Sequence, residues 1–136
     1  MSSYIPDELL SRLVGYRLYS VEFVLNDYVQ LRFDGGDSSD SPCLNCYVWP
    51  VLERAGTVWR EPDLGYADVL RRMTPAWVVS AQEARGRGLR VELESGVIVL
   101  NPTLDEVFVE IALLSGFEDG GWMCWRPGED SFEDLR

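Results

Sequence analysis

Residues 7–36 and 67–96 read as two versions of one stretch. Set sixty positions apart, DELLSRLVGYRLYSVEFVLNDYVQLRFDGG meets ADVLRRMTPAWVVSAQEARGRGLRVELESG. Identities are few: Leu10/Leu70, Arg12/Arg72, Ser20/Ser80 and Gly36/Gly96. Physical character persists at more positions, with Leu9/Val69, Leu13/Met73, Val29/Leu89, Leu31/Val91, Phe33/Leu93 and Asp34/Glu94 alike in kind. After a longer loop in the first copy, YVWP (47–50) matches VLNP (99–102). Such a pattern predicts one supersecondary unit built twice, a short helix followed by three strands, over about 7–50 and 67–102.

Pro6-Asp7-Glu8 suits a helix start, because proline tolerates the first turn and acidic residues favour the positive end of the dipole. Leu9, Leu10 and Leu13 supply its apolar side. Alternation then predicts a strand over 16–25, with Tyr19, Val21, Phe23 and Leu25 on one face. A three-residue loop, Asn26-Asp27-Tyr28, would bring Leu25 opposite Val29. The polar run 34–43 is the clearest break, and strand 44–49 follows, with Tyr47 and Trp49 on its outward side. Residues 51–63 read as a connector with a short extended piece at 58–60. Asp63 is placed to cap a helix from about Tyr66 to Met73. The second copy repeats the strands at 76–83, 89–94 and 97–101, with Trp77, Val79 and Ala81 on one face of the first.

Residues 103–115 carry two signals. Thr103 and Glu106 match a capping box, whereas Val107, Phe108, Val109 and Ile111 favour a strand. A hairpin from 106–115 to 121–126 is the expectation taken, with Phe132 and Leu135 docking an acidic tail. The fold class expected is α+β and β-rich. Two α-β-β-β repeats in antiparallel sheet surround one core within a single domain of 136 residues, and 103–136 add the hairpin and tail. A chain of this length buries roughly 70% of its unfolded surface, so no staple is required.

The sequence contains no histidine, and every basic residue is arginine. Without histidine there is no Ser-His or Cys-His pair and no imidazole ligand. Without lysine there is no Schiff base and no P-loop lysine. Acid–base work would fall to Asp, Glu, Tyr and Cys. Arginine in place of all lysine points to a GC-rich, bacterial coding sequence. The formal net charge of −11 argues against nucleic acid and against anionic membranes as partners, and favours a basic protein. No apolar run nears the length of a membrane span, and MSSYIPDELL lacks the basic start of a signal peptide, so a cytoplasmic location is expected.

Candidate sites are of several kinds. Cys43, Cys46 and Cys124 would give three thiolates for zinc, with a carboxylate as fourth ligand; buried free cysteine is the simpler reading. Asp34, Asp37 and Asp40 offer oxygen ligands for calcium, but their spacing of three differs from that of an EF-hand loop. No metal or cofactor is therefore expected. Arg85 and Arg87 at a glycine-rich tip form a small basic cluster suited to an anion. Tyr47, Trp49, Trp122 and Trp125 are the aromatic binding candidates, with Trp122 and Trp125 on opposite faces of one strand. Carboxylates are plentiful, but no two are singled out as a catalytic pair.

The leading functional expectation is a non-enzymatic intracellular binding domain whose acidic surface engages a basic protein. An immunity-type protein that masks a basic toxin is its concrete form. The alternative is a small-molecule-binding domain or minor hydrolase with a cleft lined by tryptophan and carboxylates. A structural oligomerisation domain is a third possibility.

Overall fold

The computed structural model describes residues 9–135. A 3-10 turn at Leu10–Leu13 precedes strands β1 (Arg17–Val24), β2 (Tyr28–Asp34) and β3 (Cys43–Cys46). A short hairpin follows, β4 (Val51–Arg54) and β5 (Thr57–Trp59). Helix α1 (Tyr66–Arg72) leads into β6 (Ala76–Ala84), β7 (Gly88–Leu93) and β8 (Gly96–Leu100). A 3-10 turn at Leu104–Glu106, β9 (Ala112–Ser115), β10 (Met123–Trp125) and a last 3-10 turn at Asp130–Phe132 complete the chain. The molecule is β-rich, and the ten strands among the described residues form one antiparallel sheet of order β10-β9-β3-β2-β1-β6-β7-β8-β4-β5. The α+β expectation overstated the helix: among the described residues α1 is the one α-helix, and the first predicted helix is a single 3-10 turn. Its expected start, Pro6-Asp7-Glu8, lies outside the described residues.

Alternation builds the strands. In β2 the side chains of Val29, Leu31 and Phe33 are buried while their neighbours are partly exposed, and Leu89, Val91 and Leu93 repeat the pattern in β7. A sheet of this size with a buried face needs a large cover, and one seven-residue helix is too small to supply it. The sheet covers itself. Trp125 in β10 donates its indole N–H to Glu83 in β6 at 2.9 Å, although the two strands stand five steps apart in sheet order. In a flat sheet five steps would span roughly 24 Å. Leu18, Leu44, Leu52, Ile98 and Trp125 thereby join one hydrophobic cluster.

Two β-bulges correct the predicted strand faces. The β1–β2 register shifts between Leu18 and Ser20, and the β6–β7 register shifts between Val78 and Ser80. An extra residue reverses the side-chain phase. Leu18 and Val78 are therefore buried, while Tyr19, Trp77 and Val79 are exposed, against the expectation that grouped Trp77 and Val79 with Ala81. The β1–β2 turn is also displaced by one position: Val24 faces Tyr28 and Phe23 faces Val29, so the three-residue loop is Leu25-Asn26-Asp27 and Val29 pairs two residues earlier than expected.

The central join between β1 and β6 pairs Arg17 with Trp77 and Leu18 with Ala76. On its two sides, Val21↔Leu31 is matched sixty positions later by Ala81↔Val91, and Phe23↔Val29 by Glu83↔Leu89. Cys46 lies opposite Val29, and Leu100 opposite Leu89. Hairpin β4–β5 joins β8, and hairpin β9–β10 joins β3. Each hairpin thus extends the half of the sheet to which its preceding strand does not belong.

The connector expected at 51–63 is itself that β4–β5 hairpin, turned by Ala55-Gly56 with φ of 52° and 80°. Gly65 occupies the N-cap of α1, and the Asp63 side chain accepts from the Arg60 N–H instead of capping the helix. At 103–115 both sequence signals act in turn. The Glu106 carboxylate accepts from the Thr103 N–H at 2.9 Å and closes one 3-10 turn, after which β9 begins six residues later than expected. The tail docks through buried Phe132.

Candidate binding surfaces

Three segments converge on an acidic cleft of about 370 Å³: the entry to β1, the β2–β3 loop and the β9–β10 loop. Its lining includes Arg12, Tyr16, Asp37, Asp40, Phe117 and Glu118. Asp40 ties the segments together, accepting from the Tyr16 hydroxyl at 2.7 Å and from the Glu118 N–H at 2.8 Å. Ser38 donates to the Glu118 carboxylate. The Tyr16 ring lies against Gly36, where an added Cβ would come within 2.7 Å of it, and meets Phe117 edge-on. The Arg12 guanidinium sits 5.5 Å above Phe117 and pairs with Asp119 at 2.9 Å. The Gly121 N–H and then Arg12 hold the Asp119 carboxyl below the usual carboxylate range. Burial, followed by the bond to Asp40, pushes the Tyr16 phenol up to about 12.

That shift carries a pH consequence. Folded Tyr16 keeps its proton where the unfolded chain has lost it, so its contribution is complete below pH ~10 and is lost as pH rises toward 12. Urea unfolding across pH 9 to 12 is expected to show falling stability in that window, less steeply in Tyr16→Phe. Equal slopes for the two proteins would contradict it.

The residues singled out from sequence are distributed over three places. Trp122 is exposed and directly follows Gly121, which lies against Arg12, so it stands beside the acidic cleft. Tyr47 and Trp49 are half-buried at the opposite end of β3. Tyr47 packs against Tyr28 at 5.3 Å, and Trp49 packs between Phe23 and Tyr66 at 5.2 and 5.6 Å. Trp125 is fully buried and hydrogen-bonded to Glu83, so it is a core residue and leaves the set of binding candidates. Arg85 and Arg87 occupy the β6–β7 tip in the other half. The tail engages Arg85 through Glu133 and Asp134, which removes it from the expected basic cluster. Arg87 lines a broad hollow with Gln82, Arg90 and Asn101.

Strand geometry separates the thiols. Cys46 is on the buried face, whereas Cys43 shares the outer face with Asn45, Leu113 and Cys124, and β3 and β10 stand two steps apart. Cys124 donates to Glu110 at 3.0 Å, and burial with that carboxylate raises its pKa to about 11. Burial also raises Cys46 strongly. None of this favours a reactive thiolate. Of the calcium candidates, Asp34 forms a two-point pair with Arg17 and Asp40 holds the cleft together. Among the described residues no group of three or more metal-ligating side chains comes together, and no helix is long and apolar enough to cross a membrane. Sequence reasoning missed Phe117 and the cleft, because residues 12–16, 36–40 and 117–119 meet only through the tertiary fold.

No protein-family model matches the chain, and no curated protein or solved structure matches it either.

Proposed function

We propose that this chain is a non-catalytic intracellular binding domain whose acidic surface engages a basic protein, with neutralisation of a basic toxin as one concrete form. The carrying observation is how the charges are disposed. Arginines 12, 17, 32, 71, 72, 85, 90 and 126 are drawn into ion pairs within the chain. Beyond those pairs the formal excess is of carboxylates, with Asp37, Asp40 and Glu118 gathered at one cleft beside Trp122. A concave acidic site next to an exposed aromatic suits arginine or lysine side chains of a partner.

The framework supports this reading as a module used twice. Both bulges and the flanking strand pairs recur at a spacing of sixty, and Arg17 faces its own counterpart Trp77 at the central join. The halves then hold each other by exchanging hairpins, β4–β5 for β9–β10.

The test is retention. Immobilised full-length protein is exposed at low salt to an extract of the cells that encode it. A basic protein that elutes as salt rises is expected, and Asp37→Asn with Glu118→Gln should weaken its hold about tenfold. Failure to retain any basic protein, or retention indifferent to salt, would sink the reading.

A further inference from the structure

Phe108 is the most anomalous side chain on the surface. It is fully exposed, and Val109 beside it is 66% exposed. Scattered apolar residues on a surface are ordinary, but a bare phenylalanine held in place is not. Its loop is fixed on both sides. Glu106 closes the turn before it through the Thr103 N–H. Glu110 after it accepts from Arg126 at 2.9 Å and from Cys124, and the Ile111 N–H donates to the Trp125 carbonyl at 2.8 Å.

The topology brings a second apolar tip to the same end of the sheet. The Tyr47 N–H donates to the Ile111 carbonyl, which joins the end of β3 to this loop. One strand further stands the β1–β2 turn, where Leu25 is 92% exposed at φ 52°, a left-handed conformation that bulky side chains rarely adopt. Trp49 braces that turn by donating its indole N–H to the Asp27 carbonyl at 3.0 Å. The tilted ring pair Tyr28–Tyr47 lies between the two tips in strand order.

From this juxtaposition we infer that the rim formed by Leu25, Tyr28, Tyr47, Phe108 and Val109 is a protein-docking surface, with Phe108 as an anchor that enters an apolar pocket of a partner. The inference rests on the acidic-binder reading and adds a second contact with the same partner, at the opposite end of β3 from the acidic cleft. Charge selects the occupant. Asp27, Asp105 and Glu106 flank the apolar tips in the chain, outside any ion pair with arginine given above, so the matching pocket carries a basic rim. A second copy would set carboxylate against carboxylate, and an anionic bilayer would repel the same groups. Rigid presentation lowers the ordering cost of binding, as an anchor residue requires.

The experiment places a photo-cross-linking benzoylphenylalanine at position 108 of the full chain, and at position 58 as a control, in the cells that encode it. A cross-link from 108 to one basic protein is expected, with none from 58. The purified partner should then bind Phe108→Ser and Leu25→Ser at least about tenfold more weakly, with melting temperatures unchanged. Cross-linking to a second copy, to lipid or to an acidic protein would overturn the proposal, as would no cross-link at all. A partner held at the acidic cleft with unaltered affinity for both serine variants would overturn it while leaving the acidic-binder reading intact.

Discussion

Gly88→Ala is expected to destabilise the fold by about 3 kcal/mol or more, and Gly86→Ala, two residues away, by only about 1. Both glycines have positive φ, +80° at Gly86 and +69° at Gly88. An L-residue there costs roughly 1–2 kcal/mol for the left-handed backbone alone. The difference lies in what surrounds them. A Cβ on Gly86 meets nothing within 4 Å, whereas one on Gly88 falls 2.0 Å from the Leu100 carbonyl oxygen and 3.0 Å from the Asn101 Cα. Backbone cannot yield as a side-chain tip can, so β7 and β8 must separate where Leu89 pairs with Leu100. Urea denaturation of the two variants measures the contrast, and equal losses would contradict it. The result also reassigns these glycines. In sequence they suggested a tip open to an anion, but Gly88 is required by the close approach of its own neighbouring strand.

The second large effect is at Glu83. This side chain is 6% exposed and accepts from the Trp125 indole at 2.9 Å and the Ser131 hydroxyl at 2.7 Å. It connects β6 to β10 and to the docked tail, so it clasps the sheet where it folds over on itself. Glu83→Ala removes the shared acceptor and leaves the buried indole N–H without this bond, a loss of about 3 kcal/mol. Glu83→Gln keeps an acceptor oxygen and should lose less, on the order of 1 kcal/mol. Trp125 emission should shift to longer wavelength in the alanine variant as the tail loosens. An alanine variant as stable as the parent would remove Glu83 from this role.

These two positions mark where sequence reading succeeds and where it stops. Period-two alternation identified β2 and β7 because Val29, Leu31 and Phe33, like Leu89, Val91 and Leu93, each bury one face without interruption. It also located β1 and β6 but misassigned their faces, because a bulge inserts a residue at Tyr19 and at Val79 that no composition signals. It passed over β4 because Ala55 occupies a left-handed position normally given to Gly, Asn or Asp. Strand neighbours were not legible, since alternation records which face is buried and not which strand lies beside it. The same holds for the surfaces. Trp122 and Trp125 look alike in sequence, yet one is 63% exposed and the other buried against Glu83. The β-branched neighbours of Phe108 predict a strand, and its placement among Asp105, Glu106 and Glu110 is the sign in the sequence of an exposed tip.

Recognition through outward carboxylates is read by calorimetric titration of the cross-linked partner at a series of salt concentrations. Between roughly 50 and 300 mM salt, where screening shortens the reach of surface charge, affinity is predicted to fall at least about tenfold. Affinity unchanged across that range would contradict the claim.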